Sequence, residues 1–341
     1  MHPIFIHAWW RSSSTYVWSK LREDKTLRCY YEPLNERIAA LKPADILTSP
    51  EVGMSKMLRH PVQTENYFAE YLELIAAGGL RYSVDLAYAR YLLHPDATDN
   101  GLRVYLEGLI SAAESAERRA VLCFCRSQMR SAWMQRCFGG THVAQIRNPF
   151  DQWTSFQVNP YFVQGLITVA LGLRAAHPGA FAHLEGFEQQ AANHSNQGPP
   201  ESARQAAFTI TERDALGVFL VIWIASTLQA IGCCDYLLDV DRLATDREYQ
   251  NGASQWFRTL GCAVDFSDCA TPSASESRSS SGMLDRIVEE ATAAVRSGAS
   301  SLVIANMNAV AERLPLLSAS SRRILRLALG PVAESIDTQG A

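Results

Sequence analysis

No sign of charge dominates this chain. Its 31 Lys and Arg stand against 35 Asp and Glu, a formal net charge of -4, which argues against a nucleic-acid-binding surface. The eight cysteines form no C-x-x-C pair, and no Cys/His group has zinc-ligand spacing. A redox dithiol and a structural zinc are therefore not expected, and the thiols read as reduced small hydrophobes. A G-x-x-x-x-G-K-[ST] phosphate loop is absent, which argues against an ordinary nucleotide kinase or ATPase. Internal repeats are absent too. No basic leader or cleavage signal precedes Arg11, so the N-terminus reads as folded chain and the protein as cytoplasmic. A single long uncharged run, 215–234, reads as a buried core helix leading into a strand rather than a membrane span.

What remains is an ordinary globular composition, 48% hydrophobic and 19% charged, in which strand and helix patterns alternate. Strands are expected at about 2–9, 27–31, 120–125, 141–146 and 235–240. Helices are expected at 15–23, 65–77, 83–93, 102–116, 131–138 and from about 151. This order implies an α/β fold, a central parallel sheet with helices on both faces. The Ser-rich stretch 271–281 reads as a flexible loop. Helical patterns at 283–296, 302–313 and 318–329 read as a C-terminal extension. The expected domains are thus 1–270, the linking loop 271–281, and 282–341.

The chemistry concentrates at the N-terminus. Ile4-Phe5-Ile6-His7-Ala8-Trp9-Trp10 is a mostly apolar strand that runs into Arg11-Ser12-Ser13-Ser14-Thr15 and then a helix. A strand, a hydroxyl-rich turn and a helix start bring backbone N–H groups and the positive helix end to one spot, which favours an anion. Arg11 adds a fixed charge, and the hydroxyls of Ser12, Ser13, Ser14 and Thr15 add donors. The same serines could equally be helix caps. A second segment, Ile146-Arg147-Asn148-Pro149-Phe150-Asp151-Gln152-Trp153-Thr154-Ser155, puts an arginine after a strand and a serine eight residues later on a helix. That pair can converge on one phosphate.

Together the two segments resemble the sulfotransferases that use 3′-phosphoadenosine 5′-phosphosulfate (PAPS), whose fold is of the P-loop NTPase type. Tyr236-Leu237-Leu238-Asp239-Val240-Asp241-Arg242-Leu243 and Gln255-Trp256-Phe257-Arg258-Thr259-Leu260-Gly261 are weaker echoes. The resemblance covers roughly residues 1–270. It implies that Arg11 to Thr15 hold the 5′-phosphosulfate and that Arg147 and Ser155 hold the 3′-phosphate. It further implies transfer of a sulfuryl group to a hydroxyl or amine of an acceptor (a carbohydrate, alcohol, phenol or peptide), release of 3′,5′-adenosine bisphosphate (PAP), and no metal. The sequence departs from the family at Ser13, where many relatives have glycine, and at Arg11, where many have lysine. The late glycine-rich loop over the 3′-phosphate is not recognisable, with Arg278 as a possible stand-in.

The family's general base is a glutamate after strand 2 or a histidine after strand 3. Here no histidine follows strand 3, where Phe124-Cys125-Arg126-Ser127 stands, and Glu32 ends strand 2. Glu32 is the expected base, facing the phosphate loop from a strand beside strand 1, with Glu36 next in rank. Arg11 would meet the charge developing on the leaving phosphate. Arg126 reads as an anion contact or a structural ion pair, and Trp10 as a possible ligand contact. His7 could line the crevice or be a satisfied buried histidine. A non-catalytic nucleotide-binding protein that keeps the fold is the competing reading.

Overall fold

The computed structural model describes residues 1–47, 66–177, 179–193, 209–270, 281–302 and 306–330. In chain order the principal elements are β1 (Ile4–His7), α1 (Ser14–Arg22), β2 (Leu27–Tyr31), α2 (Asn100–Ser115), β3 (Arg119–Phe124), α3 (Ser131–Phe138) and β4 (Thr141–Ile146). Then come α4 (Pro149–Phe156), α5 (Pro160–Ala176), α6 (Glu185–Asn193), α7 (Glu212–Cys233), β5 (Tyr236–Asp239), α8 (Val240–Thr245) and α9 (Arg247–Thr259). The chain closes with α10 (Ser281–Leu302), α11 (Met307–Arg313) and α12 (Ala319–Leu329).

The chain divides into two compact units. The first comprises Met1–Ala89, Leu93–Ile146 and Cys234–Ala270 and holds all five strands. They form one parallel sheet in the order β2-β3-β1-β4-β5. Every residue of β1 and β2 is buried, which requires cover on both faces of the sheet and explains why these strands do not alternate. The crossover connections supply the cover, and such connections are right-handed as a rule. The connection from β1 to β2 runs one way across the sheet and carries α1 on one face. The connections through α2 and α3 run the other way and lie on the opposite face. Asp99 caps α2 by accepting the Leu102 N–H, and Leu102, Tyr105, Leu106, Leu109 and Ala113 form its buried stripe. At the amino edge, Gly140 sits at φ +86, and a Cβ there would lie 2.4 Å from the Pro3 carbonyl oxygen, so only glycine fits between α3 and β4.

Two expectations about this unit change. Strand 2 does not lie beside strand 1: β2 is the sheet edge and pairs only with β3, whose own register brings His7 opposite Phe124. The 83–93 helix shrinks to Asp85–Tyr88. The buried Arg130 guanidinium takes the Leu86 and Ala89 carbonyls at 2.7 and 2.8 Å, and Arg90 turns left-handed at φ 51, so no further turn can form.

The second unit comprises Arg90–Leu92, Arg147–Cys233 and Thr271–Ala341. Residues 147–233 therefore cluster with the C-terminal helices instead of with the sheet, unlike the expected break near 270. The physical cause is α7. Every residue from Ala215 to Ile231 is buried, so the helix needs partners all round, and α4, α5, α10, α11 and α12 pack against it. It is long and apolar enough to cross a membrane, yet 89% of its most apolar window is buried inside the protein. Arg313 closes its end by donating to the Ile231 carbonyl at 2.6 Å. The Ser-rich 271–280 stretch, Arg278 included, lies outside the described residues.

Candidate functional site

Parallel strands put all their carboxyl ends on one edge, and the direction of the crossovers reverses between β1 and β4. Ligands of open α/β sheets bind outside such a switch point. The loop Trp9 to Thr15 leaves β1 there.

Its backbone is unusual. Arg11 and Ser13 both adopt the left-handed region, at φ 63 and φ 65. The position where glycine was expected thus does demand positive φ, and serine occupies it at a cost of about 1–2 kcal/mol. Left-handed Ser13 is followed directly by helical Ser14. Such a reversal aims three successive N–H groups, those of Ser13, Ser14 and Thr15, into one concavity. Ser13 is the N-cap of α1 but makes no side-chain capping bond. These first-turn amides therefore have no acceptor from the helix or from a cap. Arg11 and Ser13 are half-exposed.

The remaining hydroxyls hold the loop instead of opening it. Ser12 Oγ donates to the Trp9 carbonyl at 2.7 Å. Ser14 Oγ meets Cys125 Sγ at 2.9 Å, and Thr15 Oγ1 meets the Tyr31 hydroxyl at 3.2 Å. From β4, the fully buried Gln145 donates Nε2 to the Ser12 carbonyl at 2.7 Å, while its Oε1 has no hydrogen-bond partner among the described residues. The sequence did not single out Gln145, although a glutamine in the apolar run His142-Val143-Ala144-Gln145-Ile146 is itself a signal that a buried polar group has work at the sheet edge.

Glu32 ends β2 at φ 40, a third strained position, with its N–H bonded to the Cys123 carbonyl at 2.9 Å. Asn35 donates Nδ2 to Glu32 Oε2 at 2.8 Å. Burial, and after it the negative charge of Glu32, pushes the Cys125 thiol well up. β2 is one strand further from β1 than expected, with β3 between them, so Glu32 ends a strand that does not adjoin the one the loop leaves.

Glu36 is placed differently. Its Oε2 pairs with Arg126 Nη2 at 2.7 Å. Arg126 is 1% exposed, donates to the Leu34 carbonyl, and lies 5.0 Å from the ring centres of both Trp10 and Tyr88. Of the two readings of Arg126, the structure therefore gives the ion pair, and Trp10 packs on that guanidinium. Glu36 is held to its cation.

His7 is fully buried. Its Nδ1 meets Ser127 Oγ at 2.7 Å, its Nε2 meets His142 Nδ1 at 2.9 Å, and His142 Nε2 meets the Gly139 carbonyl at 2.9 Å. A carbonyl only accepts, so for neutral rings the proton order is fixed: His142 donates to Gly139, His7 to His142, and Ser127 to His7. Burial, and for His7 the neighbouring His142, hold both imidazoles below their ordinary values. Stacking on Phe5 and Phe124 completes this satisfied core pair.

Arg147 and Ser155 belong to the second unit. Arg147 immediately precedes Asn148, the N-cap of α4, whose side chain accepts the Phe150 N–H at 2.9 Å, with Pro149 in the first helical position. Ser155 stands near the other end of that eight-residue helix, about 10 Å along its axis from Asn148. Both side chains are half-exposed. Among the described residues no group of three or more His, Cys, Asp or Glu is placed to hold a metal ion.

Neither the family models nor the curated proteins nor the solved structures compared with this chain match it.

Proposed function

We propose that this chain is a PAPS-dependent sulfotransferase. The observation that carries the reading is the left-handed Ser13 before helical Ser14, which leaves the amides of Ser13, Ser14 and Thr15 directed together and uncapped at the sheet's switch point. A strained, uncapped helix start is expected to be retained where an anion repays it. Bound PAPS supplies a sulfuryl group on a good leaving group, the 5′-phosphate. Glu32 takes the proton of the acceptor hydroxyl as that oxygen bonds to sulfur. Arg11 and the three amides meet the negative charge as the bond from sulfur to the phosphate oxygen breaks. Glu36, held by Arg126, has the weaker claim to the base. Arg147 and Ser155 carry the 3′-phosphate part of the reading on their spacing in the sequence.

Calorimetric titration with PAP tests the donor side. Binding that Arg147→Ala weakens about 10- to 100-fold is the expected result. Heat indistinguishable from dilution, with folded protein, would end the proposal. The competing reading is nucleotide binding without transfer, and it is favoured by the engagement of the Ser12, Ser14 and Thr15 hydroxyls within the protein. Release of labelled sulfate from PAPS, even to water, would decide against it.

A further inference from the structure

Gln145 takes no part in the reaction steps above, yet it is fully buried in the apolar strand β4, and its Oε1 has no hydrogen-bond partner among the described residues. Burying an amide with one end unpaired is costly, so its use lies at the paired end. There Nε2 donates to the Ser12 carbonyl at 2.7 Å. We infer that Gln145 is a positioning residue: by holding the Ser12 carbonyl toward the sheet, it turns the Ser13 N–H out to the bound anion. This role rests on the sulfotransferase reading.

Peptide geometry supplies the link. The Ser12 C=O and the Ser13 N–H share one planar trans peptide, in which the two point in opposite directions. A donor that fixes the carbonyl therefore fixes the amide. The N–H and Oγ of Ser12 both reach the Trp9 carbonyl, at 3.3 and 2.7 Å, so its own carbonyl is the atom left to set the next peptide plane. The Ser14 amide is fixed separately, because the Ser13 carbonyl accepts the Tyr16 and Val17 N–H groups at 3.1 and 3.3 Å. Of the three converging amides, that of Ser13 is the one whose plane α1 does not hold. Only one orientation of the Gln145 amide serves: a carbonyl only accepts, so Nε2 must face Ser12 and Oε1 must face away. Gln145 is itself held. The buried Gln128 donates Nε2 to its backbone carbonyl at 3.1 Å and to the carbonyl of His7, the last residue of β1, at 3.4 Å. Two buried glutamines thus tie the carboxyl ends of β1 and β4 to the loop. Without the Nε2 donor, the buried Ser12 carbonyl is left unpaired; turning to find water, it brings an acceptor where the anion needs a donor.

The test is calorimetric titration of the full chain with PAP at about pH 6, alongside thermal melting. Gln145→Met keeps the length of the side chain without the donor and should weaken PAP binding about 10- to 100-fold. Gln145→Glu is neutral at that pH in so buried a site, so its O–H donates to the Ser12 carbonyl, and binding should return to within about threefold of wild type. In amide spectra at saturating PAP, Ser13 of Gln145→Met should lose the downfield shift that Thr15 keeps. A merely structural glutamine would lower the melting temperature of Gln145→Met and leave the affinity of the folded protein unchanged. That outcome, or Gln145→Glu binding no better than Gln145→Met, would overturn the inference and leave the sulfotransferase reading standing. If Gln145→Met melts below the assay temperature, the wild-type protein decides: Gln145 side-chain amide protons that exchange with water as fast as those of an exposed glutamine would overturn the inference, and protected ones support it. Wild-type protein that does not bind PAP would remove the sulfotransferase reading, and the inference with it.

Discussion

Two strand-to-helix turns in this protein solve the same problem in opposite ways. After β4, Asn148 and Pro149 close the start of α4: a side chain takes the Phe150 amide, and proline has no amide to satisfy. After β1, Ser13 bends the chain left-handed and caps nothing, leaving the first amides of α1 to an outside acceptor. The turn from β5 into α8 follows the closed pattern, with Asp239 accepting from Asp241 and Arg242. A helix start costs little to close with one Asn or Asp. On the proposed reading, the open turn is the place where a ligand anion belongs.

The largest test of that contrast is chemical. Glu32→Gln should leave PAP binding intact and lower sulfuryl transfer about 100-fold or more, measured as sulfate release. Retained activity would remove Glu32 from the role of base. Next comes the left-handed turn itself. Ser13→Val places a β-branched residue at φ 65 and should destabilise the protein by about 1–2 kcal/mol in urea unfolding and weaken PAP binding, because the amides no longer converge. On the closed side, Asn148→Ala removes a cap and should cost about 1 kcal/mol of stability. Its folded fraction should still turn over PAPS. Were Asn148→Ala to abolish nucleotide binding while Ser13→Val left it unchanged, the roles of the two turns would be reversed. Smallest is Ser13→Gly, which relieves the strain and should raise stability by roughly 0.5–1 kcal/mol with PAP binding retained.

The His7–His142 pair in the core of the first unit acts on pH dependence. Both imidazoles are held below their ordinary values when folded, so below about pH 6.5 the unfolded chain binds more protons than the native one. The pair's contribution is therefore present at neutral pH and lost as pH falls. The melting temperature should drop between about pH 8 and pH 5, and the slope should flatten in the His7→Phe/His142→Phe double variant, even though that variant is less stable throughout. An unchanged slope would mean that other groups carry the acid sensitivity.

Much of the fold was legible because buried parallel strands are short apolar runs with turn residues after them: Ile4 to His7, Leu27 to Tyr31 and Thr141 to Ile146 read directly. The order of those strands was not legible. A crossover's length does not say whether it skips a strand, which is why β2 was expected beside β1. The partners of α7 were equally hidden, since a helix apolar all round has no stripe to show which elements cover it. At the site, Ser13 stood out because serine occupied a place where glycine was expected, and the backbone does turn left-handed there. Cys125 and Gln145 were missed. A cysteine after a strand reads as a hydrophobe, and its contact with Ser14 joins positions 111 residues apart.

On the proposed reading, an anion sits on the amides of Ser13, Ser14 and Thr15. Proton–nitrogen correlation spectra recorded during a PAP titration observe those amides individually. The three resonances should shift downfield together, saturating with the calorimetric affinity. Amides at the start of α4 that move while Ser13, Ser14 and Thr15 stay still would contradict it.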